Sequence, residues 1–356
     1  VIAGAPRTPV RVMIVEDSAV VRRLLAHIVS RDSRLTVVAA VETAEEALME
    51  VHRVQPDVIS MDIRLPGMDG LEAISRIMAE RPTPIVVIAD AVEDTSLKIS
   101  LNALRLGALS VVEKPVGLGN AKYETVAGTI CTQLFIMSQV PVIRRRSIGQ
   151  RPAPGRPVPD LAGPVAAPAV VAVAASTGGP PALARVLGAL PADYPLPVLL
   201  VQHMGAPFME GFAAWLDGLV PMTVRLAASD EVAKAGHVYV APGDRHLSVA
   251  AAGGLLKVTD DAPVGGQRPS ANVLFSSLAA VYGPRAVGVL LTGMGEDGAA
   301  GLTALRQAGG FTVTEDESTA VVYGMPAAAV RMGGSRVSLP LDLVGPRLLR
   351  LAGGRS

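Results

Sequence analysis

The chain has 356 residues, half of them hydrophobic and 18% charged, enough length and apolar content for two domains that each bury a core. Lysine plus arginine and aspartate plus glutamate balance at 32 each, which excludes a general nucleic-acid or membrane-surface binder. The single cysteine, Cys131, leaves no internal disulfide, and no apolar stretch reaches the roughly 18–20 residues that cross a bilayer.

Residues 1–9 lack a basic flank followed by an apolar core, so the expectation is a soluble cytoplasmic protein. From Val10 the pattern alternates. Val10–Val15 reads as a strand, Ser18–Ser30 as a helix, Val37–Val41 as a strand and Ala44–Val54 as a helix. Asp57–Met61 is a third strand, ending at Asp62. Asp69 has the chemistry of an N-cap, with Glu72 in the first turn of a helix to about Ala79. Ile85–Ile88, a helix at Ser96–Leu106, Ser110–Val112 and a helix at Ala121–Gln139 complete five β/α units, hence a parallel sheet covered on both faces.

Residues 141–168 change character: prolines recur and five arginines precede the first acid, Asp160, which reads as an interdomain linker between units at 9–140 and 169–350. The second unit alternates apolar runs with helices at Pro181–Leu190, Phe208–Leu219, Ser270–Tyr282 and Ala299–Gln307. His237–Val240, His246–Ala250 and Leu255–Val258 lie close together around Gly253-Gly254. That spacing predicts a hairpin and a mixed, mostly parallel, doubly wound α/β sheet.

Glu16-Asp17 ends strand one, Asp62 ends strand three and Lys114 follows strand five; as central neighbours those strands would bring the four groups to one sheet edge. Three carboxylates repel unless a hard divalent ion, Mg²⁺ by preference, joins them, and a lysine adds the charge a phosphoryl group needs. Through Val15-Glu16-Asp17-Ser18, Met61–Gly70 and Glu113-Lys114-Pro115, this part resembles the receiver domain of two-component response regulators. The resemblance implies that Asp62 accepts a phosphoryl group from a histidine kinase, Glu16, Asp17 and Asp62 hold Mg²⁺, and Lys114 contacts the phosphate. One departure stands out. Receivers usually carry Ser or Thr after strand four, and this chain has Ala89-Asp90-Ala91, with no hydroxyl until Thr95.

In the second unit, Ser176 ends the run Val170–Ala175, His203 closes Pro197–Gln202 and Asp297 follows Val289–Glu296. A hydroxyl, an imidazole and a carboxylate at strand ends share one crevice in a parallel sheet, the layout of a Ser-His-Asp hydrolase. Each also has a structural reading: Ser176 as an N-cap, His203 as a satisfied buried histidine, Asp297 as the cap of the helix beginning at Gly298. His27 and His52 fall in helices, and His246 is the one rival base. G-x-S-x-G is absent around Ser176, so an ordinary α/β-hydrolase is a poor match.

Ala175–Pro180, Val201–Met204, Val238–Gly243, Arg268-Pro269-Ser270, Leu291–Ala299 and Val322–Pro326 together resemble the catalytic domain of chemotaxis-type protein-glutamate methylesterases, the CheB family. The resemblance implies a phosphorylation-regulated methylesterase that also deamidates selected glutamines on methyl-accepting chemoreceptors. It assigns Ser176 as nucleophile, His203 as base and Asp297 as its orienting partner, with oxyanion donors near Thr177 and Met294. The chain is further expected to be a monomer that inserts into no membrane and whose esterase needs no cofactor. Three positions depart from the family pattern: Ala174 for Gly, Gln267 for His and Asn272 for Asp. A methylesterase of a non-chemotactic pathway and a catalytically weak regulator acting as a binding module are the other readings.

Overall fold

The structure, a computed structural model, describes residues 8–89, 102–104, 106–115, 123–140, 166–251 and 253–353. The helix expected at 96–106 and the linker at 141–168 lie mostly outside the described residues, as do Asp90, Ala91 and Thr95. The chain divides into two compact units, residues 1–151 and 152–356.

The N-terminal unit is built on β1 (Val10–Val15), β2 (Leu35–Val41), β3 (Val58–Met61), β4 (Ile85–Ala89) and β5 (Ser110–Glu113). All pairings are parallel, in the order β2-β1-β3-β4-β5. β3 and β4 are buried throughout, β4 as an unbroken apolar run and β3 with Ser60 as its one polar residue. Three of its helices are α1 (Ala19–Ser30), α2 (Ala44–Val54) and α3 (Gly70–Glu80), capped by Ser18, Thr43 and Asp69, whose side chains accept from Val21, Glu46 and Glu72 N–H. The next is α4 (Tyr123–Met137). One expectation is corrected. β5 is an edge strand separated from β3 by β4, so strands one, three and five are not three central neighbours. The length of the Lys114 side chain closes the gap.

The C-terminal unit contains β6 (Val170–Ala175), β7 (Val198–Gln202), β8 (Thr223–Leu226), β9 (His237–Val240), β12 (Ala286–Leu290), β13 (Phe311–Glu315) and β14 (Val337–Leu339). They form one sheet, β14-β13-β12-β6-β7-β9-β8, with every pairing parallel. Its described α-helices are α5 (Gly179–Gly188), α6 (Met209–Asp217), α7 (Ala271–Val281), α8 (Ala299–Gln307), α9 (Met325–Arg331) and α10 (Leu341–Leu351). β6, β7, β12 and β13 are buried at every position.

The mixed sheet is also corrected. β10 (His246–Ala251) and β11 (Leu255–Thr259) do form the expected antiparallel hairpin, but as a separate two-stranded sheet. Leu247, Val249 and Leu256 pack into the same core as Leu274 and Leu278 of α7. The backbone N–H of Val249 donates to Ser277 Oγ on that helix at 3.1 Å, so helix contacts serve the hairpin where a further strand would otherwise lie.

Candidate active site

β6 is the first strand of its sheet, and the chain winds outward from it on both sides, to β7 and to β12. The order reverses there, which opens a crevice at the C-terminal ends of these three strands. Ala175 is level with Gln202 across β6 and β7, and Leu290 with Ala174 across β12 and β6. Ser176, His203 and the loop bearing Asp297 therefore leave the sheet at one edge.

Ser176 is fixed through its backbone: its N–H donates to Thr292 O at 3.0 Å, and its carbonyl accepts from Gly179 N–H at 2.8 Å. The helix after it is capped by Gly178, at φ +76°, with no side-chain capping bond, so Ser176 is not an N-cap. A Cβ on Gly178 would lie 2.5 Å from Val321 Cβ, and one on Gly293 would lie 2.7 Å from the Ser176 Cβ. Both glycines are needed for the backbone to come this close to the serine.

His203 Nε2 lies 2.8 Å from Asp297 Oδ2. A carboxylate only accepts, so Nε2 carries the proton and Nδ1 is the basic nitrogen. Among the described residues, no hydrogen bond joins Ser176 Oγ to His203; such pairs tighten when substrate enters. The N–H groups of Thr177 and Met294 donate to no other group of the described protein. Thr177 is buried, whereas Met294 is 49% exposed at the surface of its loop.

Asp297 does not cap its own helix: Gly298 stands at that N-cap. Its carboxylate instead accepts from Ser270 Oγ at 2.7 Å, Ala271 N–H at 2.6 Å and Asn272 N–H at 3.2 Å, at the start of α7. Burial pushes the Asp297 carboxyl up, but the hydrogen bond and charge of His203, with the donors of Ser270 and Ala271, outweigh it and hold the group below its ordinary value. His246, the rival base, has both ring nitrogens engaged, with Ala262 O at 3.1 Å and Ser270 N–H at 3.2 Å. His27 and His52 lie in α1 and α2.

Several supports were not visible as such in the sequence. Gln202, 1% exposed, donates through Nε2 to the carbonyls of both Ser176 and His203 at 2.9 Å. Thr292 Oγ1 donates to Thr177 O at 2.9 Å and accepts from Val322 N–H at 2.9 Å. Glu315 accepts from the Thr292 N–H at 2.8 Å, and its burial pushes its carboxyl up. The apolar-run signal finds none of these, because each is a polar residue inside or beside a buried strand. Two of the three departures are accommodated: Ala174 is buried mid-sheet, and Asn272 Oδ1 accepts from Gly301 N–H at 2.8 Å, tying α7 to α8.

In the N-terminal unit, carboxylate oxygens of Glu16, Asp17 and Asp62 lie within 4.8 Å of one another. Lys114 Nζ reaches Asp62 Oδ2 at 2.9 Å and Glu16 Oε2 at 3.1 Å. Burial, then the charge of Asp62, pushes the Glu16 carboxyl up to about 7 against the pull of Lys114. Burial likewise raises Asp62. One lysine does not neutralise the cluster, and the all-oxygen donor set fits a hard divalent cation. Ala89 ends β4 in register with Glu113, and its carbonyl accepts from the Lys114 N–H at 2.9 Å.

The two units define a response-regulator receiver joined to a parallel α/β enzyme domain. The family model for CheB methylesterase matches residues 171–348, and that for the response regulator receiver domain matches residues 12–122. The chain is 51% identical to protein-glutamate methylesterase/protein-glutamine glutaminase 2 of Paramagnetospirillum magneticum, over 98% of this chain and 99% of that one. It is 46% identical to protein-glutamate methylesterase/protein-glutamine glutaminase 4 of Myxococcus xanthus, over 90% and 91%. The crystal structure of the Thermotoga maritima CheB methylesterase catalytic domain aligns with a TM-score of 0.50 and 34% identity, covering 52% of this chain and all of that one. The chain belongs to the CheB family of protein-glutamate methylesterases/protein-glutamine glutaminases. Among the described residues, no helix is long and apolar enough to cross a membrane.

Proposed function

We propose that Ser176, His203 and Asp297 hydrolyse glutamyl methyl esters on methyl-accepting chemoreceptors in the cytoplasm. The observation that carries this reading is the 2.8 Å contact of His203 Nε2 with Asp297, at the sheet edge where β6 delivers Ser176. Ser176 Oγ attacks the ester carbonyl carbon while His203 Nδ1 takes its proton. The N–H groups of Thr177 and Met294 receive the oxyanion. Collapse breaks the bond to the methoxy oxygen, which leaves as methanol with the proton from His203. Water then attacks the acyl-enzyme, gives a proton to His203, and releases glutamate as Ser176 regains its hydrogen. With a glutamine side chain, ammonia leaves in place of methanol. Asp297 stays ionised throughout and stabilises the imidazolium.

Asp62 takes a phosphoryl group from a phosphohistidine of a kinase: a carboxylate oxygen bonds to phosphorus as the N–P bond breaks and its electron pair returns to the imidazole. Glu16, Asp17 and Asp62 would hold Mg²⁺, which supplies charge neutralisation at the transferring group when bound. Lys114 meets the phosphoryl oxygens.

The test follows methanol from a methylated receptor and ammonia from its glutamine form in parallel. His203→Ala is expected to lose both by roughly three orders of magnitude or more. Loss of one activity with the other intact would refute a shared site. Acetyl phosphate with Mg²⁺ is expected to label wild type and not Asp62→Asn; label retained in the variant would remove Asp62 as acceptor.

A further inference from the structure

Ser270 stands at the N-cap of α7, where a serine ordinarily caps its own helix through its side chain. Here it makes no such bond. Its hydroxyl donates instead to Asp297 Oδ1 at 2.7 Å, while the Ala271 and Asn272 N–H groups donate to the same carboxylate. The capping anion of α7 is thus Asp297, supplied by the loop after β12. Ser270 is 0% exposed, so its hydroxyl is shut off from bulk solvent.

Ser270 is itself held. Its N–H donates to His246 Nδ1 at 3.2 Å, and on the other side of the ring His246 Nε2 donates to Ala262 O at 3.1 Å.

We propose that Ser270 is a positioning residue for the hydrolysis: its hydroxyl, with the α7 N-terminus, holds the Asp297 carboxylate against His203, and His246 holds Ser270. This rests on reading Ser176, His203 and Asp297 as the catalytic set. The hydroxyl has an electrostatic consequence as well as a geometric one. Each donor draws charge off the carboxylate, so removing one leaves more charge facing His203 and holds the imidazolium more tightly. The acid limb of the pH–rate profile then moves to higher pH.

Few other groups compete for that effect. Among the partners of Asp297 only His203 titrates. α7 carries no ionisable side chain, Glu296 is exposed, and Arg268 donates to the Asp260 and Asp261 carbonyls. Arg306, late in α8, donates to the Gly333 and Ser335 carbonyls.

The experiment measures methanol release against pH for the full chain, its Ser176→Ala control, and Ser270→Ala, Ser270→Thr and Ser270→Cys. Ser270→Ala is expected to lower kcat about ten- to a hundredfold with KM within about twofold, the range for a hydrogen bond to a charged group. Its acid limb should rise by about half a pH unit. Ser270→Thr, which keeps the hydroxyl, should return kcat to within about threefold of wild type. Should the alanine variant fail to fold, Ser270→Cys supplies the same test at similar volume, since a thiol is a weak donor. A Ser270→Ala enzyme, or failing it a Ser270→Cys enzyme, with the wild-type kcat and pH limb overturns the positioning role, as does a threonine variant no better than alanine. If Ser176→Ala keeps the wild-type rate, the reading of the catalytic set fails instead.

Discussion

Asp297 is held from two sides, by His203 and by the start of α7, so the group proposed to orient the base also caps a helix. Asp297→Asn cannot accept on both oxygens, so kcat should fall about three to four orders of magnitude. Asp297→Ala should additionally lose about 1–2 kcal/mol of stability as the α7 cap disappears, read from urea unfolding. Cys131 is a different kind of residue. Burial, then the charge of Asp32, pushes its thiol up to about 11 from 9.0, so it stays protonated and slow to alkylate at neutral pH. Its folded value lies above the unfolded one, so the stability it contributes is complete below pH about 9 and is lost as pH rises through about 11. The stability of wild type relative to Cys131→Ser should therefore shrink across that interval; a constant difference would contradict the burial effect.

At the scale of elements, the loop after β12 is the critical piece, because Gly293 passes beside Ser176 with no room for a side chain. Gly293→Ala should cut kcat by about a hundredfold, as misplacement of about 1 Å does, while thermal unfolding shows a folded protein. The strands that carry Ser176 and His203 were legible because a parallel sheet buried on both faces demands continuous apolar runs, and Val170–Ala175 and Val198–Leu200 supply them. α2 and α8 were legible to the residue through their apolar spacing. β8 and β14 were not, being short and only partly buried, and neither was β13, because Thr312, Thr314 and Glu315 put polar groups on a buried strand. The fold tolerates them through cross-links invisible in sequence, such as Thr314 Oγ1 with the Ser335 and Ser338 hydroxyls, both at 2.8 Å. Ser270 and Gln202 stood in motifs already noted, but their roles were not legible, because they act through hydrogen bonds to groups distant in sequence or to backbone. Lys114 was placed at the correct site by a wrong strand order, since the length of its side chain hides the difference between a neighbour and an edge strand.

For the whole molecule, the receiver carries Asp62, the proposed acceptor, with Glu16, Asp17 and Lys114 beside it, while Ala89 stands where receivers usually have a hydroxyl. Ala89→Ser should leave labelling of Asp62 intact and enlarge the change in esterase rate that a phosphodonor produces. An identical response in both proteins would show that no hydroxyl is needed at that position. On the proposed reading the esterase depends on one oxygen atom, that of Ser176, which leaves the sheet at the same edge as the His203–Asp297 pair. The decisive measurement is methanol release from a methylated chemoreceptor by wild type and by Ser176→Ala at equal concentrations of folded protein. A Ser176 nucleophile predicts a rate lower by about three orders of magnitude or more in the variant; equal rates in the two proteins would contradict it.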